Sequence, residues 1–311
     1  MATAAASVAP PAVESGRRST RRRLRPAFGF LVIVAILVVA WEAAKWLAGD
    51  PWRYDSFLGT GIAIDHRPPF RIAQFNDINL PHVWDIAAIF FTADARGQTL
   101  LQVLLGAGLF TLRNAALGFA IGAVVGLGLA IVIVHIRLVE RALVPLLVVS
   151  QTIPIIAIAP LIVIGLRADW LGVAVVTSYL TFFPVTIAAI RGMRSYDPRA
   201  YELMTSYAAG RRTILWKLRL PASTAYLFTA FKVGATGSIV GAIVGELPSG
   251  ITQGLARQIL TAMQYYTLAP GKLWAAVVVA SVLGIGAFLL VVLVERRVLR
   301  GARPDETGAD A

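Results

Sequence analysis

Six apolar segments follow one another along the chain, each bounded by charged or polar residues. They cover residues 27–47, 115–134, 142–166, 171–190, 222–247 and 273–294. A helix needs roughly 20 apolar residues to cross the hydrocarbon core of a bilayer, and each segment is near that length. The pattern predicts an all-α polytopic membrane protein with about six transmembrane helices.

The composition agrees with this pattern and excludes other protein classes. Of the 311 residues, 57% are hydrophobic and 15% are charged, and the mean hydropathy is +0.72. These values exclude an ordinary soluble domain and a disordered chain. With no Cys and three His, the sequence offers no ligand set for structural zinc or an iron–sulfur cluster, so we expect no metal site and no cofactor.

The formal net charge of +12 is unevenly distributed. Most Lys and Arg residues lie before the first apolar segment, at positions 137 and 141, within residues 191–219, and after Glu295. Short loops rich in Lys and Arg remain on the cytoplasmic side of a membrane. Both termini are therefore predicted to be cytoplasmic, and the charge is explained by topology rather than by nucleic-acid binding.

The same pattern divides the chain into five parts. We predict a disordered basic N-terminus (1–26), a first transmembrane helix (27–47), an external segment (48–97), a core (98–300) and a cytoplasmic tail (301–311). The arginines before residue 27 also resemble a twin-arginine export signal, but the following apolar run is too long and lacks a small-x-small cleavage site. We expect an uncleaved helix in which Glu42 and Lys45, three residues apart, pair near the interface.

Small residues recur in the second apolar segment. Gly118, Gly122 and Gly126 are four residues apart, and Ala130 continues the same helix face. Such a stripe lets a second helix backbone approach closely, so we predict helix packing on this face.

The third apolar segment contains three prolines around a polar pair, Gln151 and Thr152. Proline removes a backbone donor, and the freed carbonyl is tolerated in a membrane only beside protein or water. We predict a single bent helix that lines a cavity, with Gln151, Thr152 and Pro154 as candidates for a translocation path.

Three further path candidates lie in the fifth apolar segment. Lys232 is near its cytoplasmic edge, where the side chain either extends to the interface or attracts an anionic or polar solute. Glu246 is at the outer end, where it either contacts water or forms part of an outer gate. Ser238 lies between them.

Residues 191–221 form a basic segment between the fourth and fifth spans. Asp197 followed by Pro198 predicts a helix start, and Gly210 is placed to end that helix. A second, amphipathic helix is predicted to stop at Leu220-Pro221. This hairpin exposes small residues at positions 208–210, and it either docks into a partner protein or lies on anionic lipid.

Several motifs resemble the permease subunits of ATP-binding-cassette (ABC) importers. The hairpin resembles their EAA loop, with Leu203 and Met204 where the family usually has two alanines, through Tyr201, Glu202, Ala208, Ala209, Gly210, Leu220 and Pro221. Residues 111–119, 151–161, 182–184 and 244–246 resemble the branch that imports nitrate, taurine and aliphatic sulfonates, and also pyrimidine, thiamine-precursor or flavin-type heterocycles. The resemblance covers about residues 98–300.

The resemblance implies a type I importer fold, a homodimer, two ATP-binding subunits and an external solute-binding protein in a bacterial-type inner membrane. The chain itself lacks a G-x-x-x-x-G-K-[ST] phosphate loop, so ATP hydrolysis is assigned to the partner and the chain is not expected to be an enzyme. The resemblance also implies a mechanical link to the ATPase. In it, Glu202 would make a polar contact, and Gly210 would permit either close approach of the ATPase surface or a sharp turn of the chain. The third and fifth spans line the path between the two copies.

Two other classes remain as alternatives. A membrane-embedded enzyme needs converging catalytic side chains, and the sequence has neither an H-E-x-x-H nor a G-x-S-x-G motif. A secondary transporter or channel would work without an ATPase and usually carries ionisable residues at the membrane midplane. The solute itself is predicted only as small and polar or anionic, or as a heterocycle of the types named above.

Overall fold

The computed structural model describes residues 19–54, 61, 63–93, 97–166 and 169–300. Residues 1–18 of the predicted N-terminal segment and the predicted tail, 301–311, lie outside the described residues. The chain forms two compact units, Met1–Val83 and Trp84–Ala311.

The first unit contains a long helix and the short segment that follows it, which the sequence predicts to be external. It comprises α1 (Ser19–Ala48), a two-stranded antiparallel sheet of β1 (Trp52–Tyr54) and β2 (Ile64–His66), and a 3-10 turn at Ala73–Phe75. The helix begins at Ser19, so residues 19–26 are helical rather than disordered as predicted. Arg and Leu are good helix formers, and the helix therefore continues beyond the apolar run.

Glu42 and Lys45 were predicted to pair with each other, but the structure gives each of them a different partner. The Lys45 ammonium lies 2.6 Å from an Asp77 carboxylate oxygen and is fully buried. The Glu42 carboxylate lies 2.8 Å from His82 Nδ1 and accepts a hydrogen bond from the Val83 amide. Each charge is thus satisfied by the segment that follows α1 and packs back against it, a partner that helix spacing alone does not reveal.

The second unit is helical. Its helices are α2 (Val83–Ile89), α3 (Leu100–His135), α4 (Arg137–Ser150), α5 (Ile155–Leu166), α6 (Asp169–Gly192), α7 (Pro198–Ser206), α8 (Arg211–Ile214), α9 (Leu220–Glu246), α10 (Leu255–Gln264) and α11 (Pro270–Arg300). Among the described residues, five helices are long and apolar enough to cross a membrane, or six if α4 and α5 form one broken span.

The third apolar segment is two helices rather than one bent helix. The axes of α4 and α5 meet at 101° across residues 151–154. Pro154 donates no backbone hydrogen bond and disfavours helical geometry at Ile153, so the helix stops before it and restarts after it. The Tyr179 hydroxyl, midway along α6, donates to the Ser150 carbonyl. The break therefore lies about halfway along the bundle.

The core of the second unit is formed by α3, α6 and α9. The stripe Gly118, Gly122 and Gly126 packs against α6, which confirms the predicted close approach. A Cβ atom at Gly122 would lie 2.7 Å from the Ser178 carbonyl oxygen. The Ser178 hydroxyl donates to the Gly118 carbonyl at 3.0 Å, and the Thr186 hydroxyl donates to the Gly126 carbonyl at 3.1 Å.

Helix α9 approaches α6 through glycines as well. Added Cβ atoms at Gly241 and Gly245 would lie 3.0 and 3.1 Å from the Cα atoms of Thr177 and Val173. Because α3 and α9 both present glycines to α6, the three backbones pack closely, as is usual for helix association in lipid.

Candidate functional site

The predicted hairpin begins where the sequence places it. Asp197 caps α7 by accepting a hydrogen bond from the Arg199 amide at 2.9 Å, and Pro198 is the first helical residue. Nearby, the Arg194 guanidinium donates to the Glu140 carboxylate at 2.7 Å. That hydrogen bond raises the pKa of Arg194 and ties the end of α6 to the start of α4.

The turn of the hairpin differs from the prediction. Helix α7 ends at Ser206, and Ala208 rather than Gly210 takes the left-handed conformation, with φ of +51°. The Ala209 amide donates to the Met204 carbonyl at 2.9 Å and closes the helix end. Gly210 has φ of −65° and precedes α8. The usual preference for glycine in a left-handed turn favoured Gly210, but the chain makes this turn two residues earlier.

The second helix of the hairpin also differs from the prediction. It does not stop at Leu220-Pro221 but continues from α8 through a π turn, Leu215–Arg219, into α9. The run from Arg211 to Glu246 is one continuous helix. Pro221 lacks an amide donor, and the π turn directly before it accommodates the missing hydrogen bond.

The candidate coupling residues surround this hairpin. Glu202, Ala208, Gly210 and Pro221 are exposed, whereas Tyr201, Ala209 and Leu220 are half-buried. Among the residues that the structure describes, no atom lies within 4 Å of an added Cβ at Gly210. The sharp-turn role expected for Gly210 is therefore wrong, while close approach by a partner remains open to it.

We expect Ala208→Gly to stabilise the hairpin by about 1 kcal/mol, because glycine adopts positive φ without the steric penalty of alanine. Gly210→Ala is the matched control, and its φ and open surroundings predict no loss. Thermal unfolding and hydrogen exchange of residues 207–210 measure both. A loss of stability in Ala208→Gly would contradict the assigned turn.

The candidate path residues do not form one cluster. Gln151, Thr152 and Pro154 are exposed in the turn between α4 and α5, halfway along the bundle. Ser238 is buried and donates to the Ala235 carbonyl at 2.8 Å. The Lys232 ammonium lies 2.7 Å from a Glu295 carboxylate oxygen on α11. Glu295 was not among the predicted residues, because only the fold shows that it reaches Lys232.

Glu246 is buried rather than in contact with water, which corrects one of the two interpretations of its position. It is 2% exposed. Its carboxylate accepts hydrogen bonds from the Thr111 hydroxyl at 2.9 Å and from the Asn114 amide at 3.1 Å. The Ala256 amide of α10 also donates to it, and the Leu255 amide donates to the Thr111 hydroxyl at 2.9 Å.

This buried cluster joins the start of α10 to α3 and α9. Thr111 and Asn114 were not predicted to have a role. The available signal was two polar residues, three positions apart and therefore on one face, inside a mostly apolar helix. Gly254 completes the cluster, because a Cβ there would collide with the Glu246 carboxylate.

Within the described ranges, no group of three or more His, Asp or Glu side chains is placed to hold a metal ion.

The second unit has relatives among known transport proteins. Residues 118–300 match the family described as binding-protein-dependent transport system inner membrane component. The chain is 32% identical over 192 residues to the formylaminopyrimidine transport permease protein ThiX of Halalkalibacterium halodurans, covering 61% of this chain and 74% of the relative. It is 28% identical over 233 residues to the riboflavin transport system permease protein RibX of Chloroflexus aurantiacus, covering 75% and 76%.

Two further comparisons extend the range of relatives. The putative aliphatic sulfonates transport permease protein SsuC of Bacillus subtilis is 27% identical over 207 residues, covering 65% of this chain and 74% of the relative. The crystal structure of an amino acid ABC transporter with histidines has a TM-score of 0.53 at 18% identity, covering 63% of this chain and 94% of that chain. This last likeness shows the type I importer-like fold. The chain belongs to the binding-protein-dependent inner membrane components and is a multi-pass ABC importer permease, not an enzyme.

Proposed function

We propose that this chain moves a small solute across a bacterial cytoplasmic membrane as one of two identical permease subunits, driven by two ATP-binding subunits. An external solute-binding protein delivers the solute. The observation that carries the proposal is the exposed first helix and turn of the hairpin, residues 197–210, at the basic end of the second unit.

The hairpin has the properties of a docking element. Glu202 offers an exposed carboxylate, and Ala208 and Gly210 form an exposed surface without bulky side chains. Because an added Cβ at Gly210 meets none of the described residues within 4 Å, the space beside it supports docking by a partner. The continuous helix from Arg211 to Glu246 links the hairpin rigidly to the core. Movement of a docked ATPase would thus reach the spans directly, as a two-state transport cycle requires.

The turn at residues 151–154 supports a path between two copies of the chain. Its irregular backbone is exposed at mid-depth, and such backbone is tolerated in a membrane only beside protein or a water-filled cavity. Gln151, Thr152 and Pro154 are therefore our path residues. Lys232, Ser238 and Glu246 are engaged in contacts within the chain and instead support the walls.

The relatives support a proposal for the class of solute. Those named above transport formylaminopyrimidine, riboflavin and, putatively, aliphatic sulfonates. We infer a small polar or anionic solute, either a sulfonate-, nitrate- or taurine-like anion or a heterocycle of the pyrimidine, thiamine-precursor or flavin type.

Co-purification tests the ATPase partnership. The tagged chain is isolated from its native membrane as wild type, Gly210→Asp and Gly210→Ala, and ATPase activity is assayed in each eluate. Wild type and Gly210→Ala should retain an ATP-binding subunit, whereas Gly210→Asp should lose it or its coupled activity. If no ATPase accompanies any variant and uptake continues after ATP depletion, a secondary transporter or channel is the better account.

Cysteine labelling tests the proposed orientation, because the chain has no natural Cys. Arg212 lies on α8, the second helix of the hairpin, and Arg257 lies on α10. Both are exposed. Intact cells whose outer layer has been made permeable are treated with a maleimide that does not cross the cytoplasmic membrane. The reagent should label Arg257→Cys. It should label Arg212→Cys only after the cytoplasmic membrane is broken. The reverse pattern would invert the topology.

A further inference from the structure

A small polar cavity lies beside the hairpin, apart from its exposed docking surface. It encloses about 180 Å³. Its lining residues are Val134, His135, Tyr201, Arg211, Ile214 and Arg219. Two of these side chains are arginines and none is a carboxylate, so the cavity favours an anion.

Arg219 is held in place but incompletely satisfied. Its guanidinium carbon lies 5.7 Å from the centre of the Tyr196 ring, and Tyr196 stacks on Tyr201 with ring centres 5.3 Å apart. The Nε atom of Arg219 is buried and has no hydrogen-bond partner within the described part of the chain. A buried donor without an acceptor is costly, and native structures usually supply a partner. Arg219 is therefore fixed in a position that calls for an external acceptor.

Two other residues, Arg211 and Tyr201, add donors to the cavity. His135 Nδ1 lies 2.7 Å from the Ile131 carbonyl oxygen, which can only accept, so this nitrogen donates within α3 and His135 forms part of the cavity wall without being one of its donors. Arg211 and the Tyr201 hydroxyl line the same space. Guanidinium groups bind the oxygens of a phosphate through paired, charge-assisted hydrogen bonds.

The position of the cavity along the bundle indicates the source of the phosphate. Val134 and His135 are the last residues of α3, so the cavity lies where an apolar span ends. Trp216 is 63% exposed and precedes Arg219 by one helical turn. Exposed tryptophans concentrate at the level of lipid headgroups, and basic pockets between spans at the cytoplasmic side bind anionic headgroups.

We propose that the cavity lined by His135, Tyr201, Arg211 and Arg219 binds the phosphate of an anionic phospholipid headgroup. A bound headgroup would anchor the base of the hairpin through Tyr201 and Arg219 and leave its exposed tip for the ATPase. The proposal rests on the proposed placement of the basic end in the cytoplasmic leaflet, but not on the ATPase partnership.

Lipid binding to the purified full-length chain tests this site. The chain is delipidated in a neutral detergent and titrated with phosphatidylglycerol, phosphatidylcholine or inorganic phosphate, and bound lipid is counted by native mass spectrometry. The variants are Arg219→Gln and Arg211→Gln. The matched control is Arg212→Gln, which removes the same charge from an exposed neighbour that does not line the cavity. Arg211 is itself exposed, so its variant still tests the site if Arg219→Gln fails to fold.

We expect wild type to bind phosphatidylglycerol in preference to phosphatidylcholine. Each cavity variant should weaken that binding about fivefold, and Arg212→Gln should weaken it less. Equal losses of phosphatidylglycerol binding in all three variants would show that the lipid is held by diffuse electrostatic attraction, and would overturn the proposed binding site. Inorganic phosphate that displaces the lipid at equal concentration would overturn the lipid assignment. Because no ATPase is present, these outcomes are separate from the co-purification result.

Discussion

Gly122→Leu is expected to destabilise the second unit by about 3 kcal/mol and to reduce the yield of folded protein sharply. The glycine lies where α3 meets α6, and an added Cβ would lie 2.7 Å from the Ser178 carbonyl oxygen and 3.1 Å from its Cα. Backbone atoms cannot move aside as a flexible side chain can. The two helices must therefore separate, which also weakens the hydrogen bonds from Ser178 and Thr186.

Gly128→Leu is the matched control for this prediction. Gly128 is in the same helix, is exposed, and has no atom within 4 Å of an added Cβ. Thermal unfolding of the detergent-purified variants, with size-exclusion profiles, compares the two. Equal stability of Gly122→Leu and Gly128→Leu would contradict the close packing of α3 on α6.

Glu246→Leu is expected to release α10 from the bundle at a cost of about 3 kcal/mol. The substitution leaves the donors of Thr111, Asn114 and Ala256 facing an apolar side chain in a buried site. Gly254→Ala should disrupt the same cluster, because its new methyl group collides with the Glu246 carboxylate.

Hydrogen exchange measures this effect locally. In Glu246→Leu, the amides of α10 should exchange faster while those of the hairpin remain as in wild type. Arg257→Gln, an exposed change on the same helix, is the control and should leave exchange unaltered. Unchanged protection of α10 in Glu246→Leu would show that the cluster does not hold this helix.

The sequence predicted the spans well because apolar length is a direct requirement of the bilayer. The stripe of Gly118, Gly122 and Gly126 likewise predicted close packing, since its spacing places all three on one helix face. The start of α7 followed from Asp197 and Pro198, which act on the nearest amides. These features depend on neighbours a few residues away, and local sequence is sufficient for them.

Features set by distant residues were not predictable in the same way. Glu42 and Lys45 satisfy their charges through residues about 30 to 40 positions later, and Lys232 pairs with Glu295 on another helix. The hairpin turn at Ala208 was missed because residue preference pointed to the glycine nearby. The burial of Glu246 depends on α10 folding back over the end of α9. Such partners become visible only when the helices are assembled.

A crosslinking measurement tests the central claim, that the hairpin receives the ATPase of an importer. Tyr207 is 80% exposed at the hairpin tip, and a single Cys placed there carries a photoreactive maleimide. The same label on Arg257→Cys, at the other end of the bundle, is the control. Illumination of native membranes should join an ATP-binding subunit to the chain from position 207 and not from position 257. Failure to capture such a subunit from position 207, or its capture only from position 257, would contradict the account.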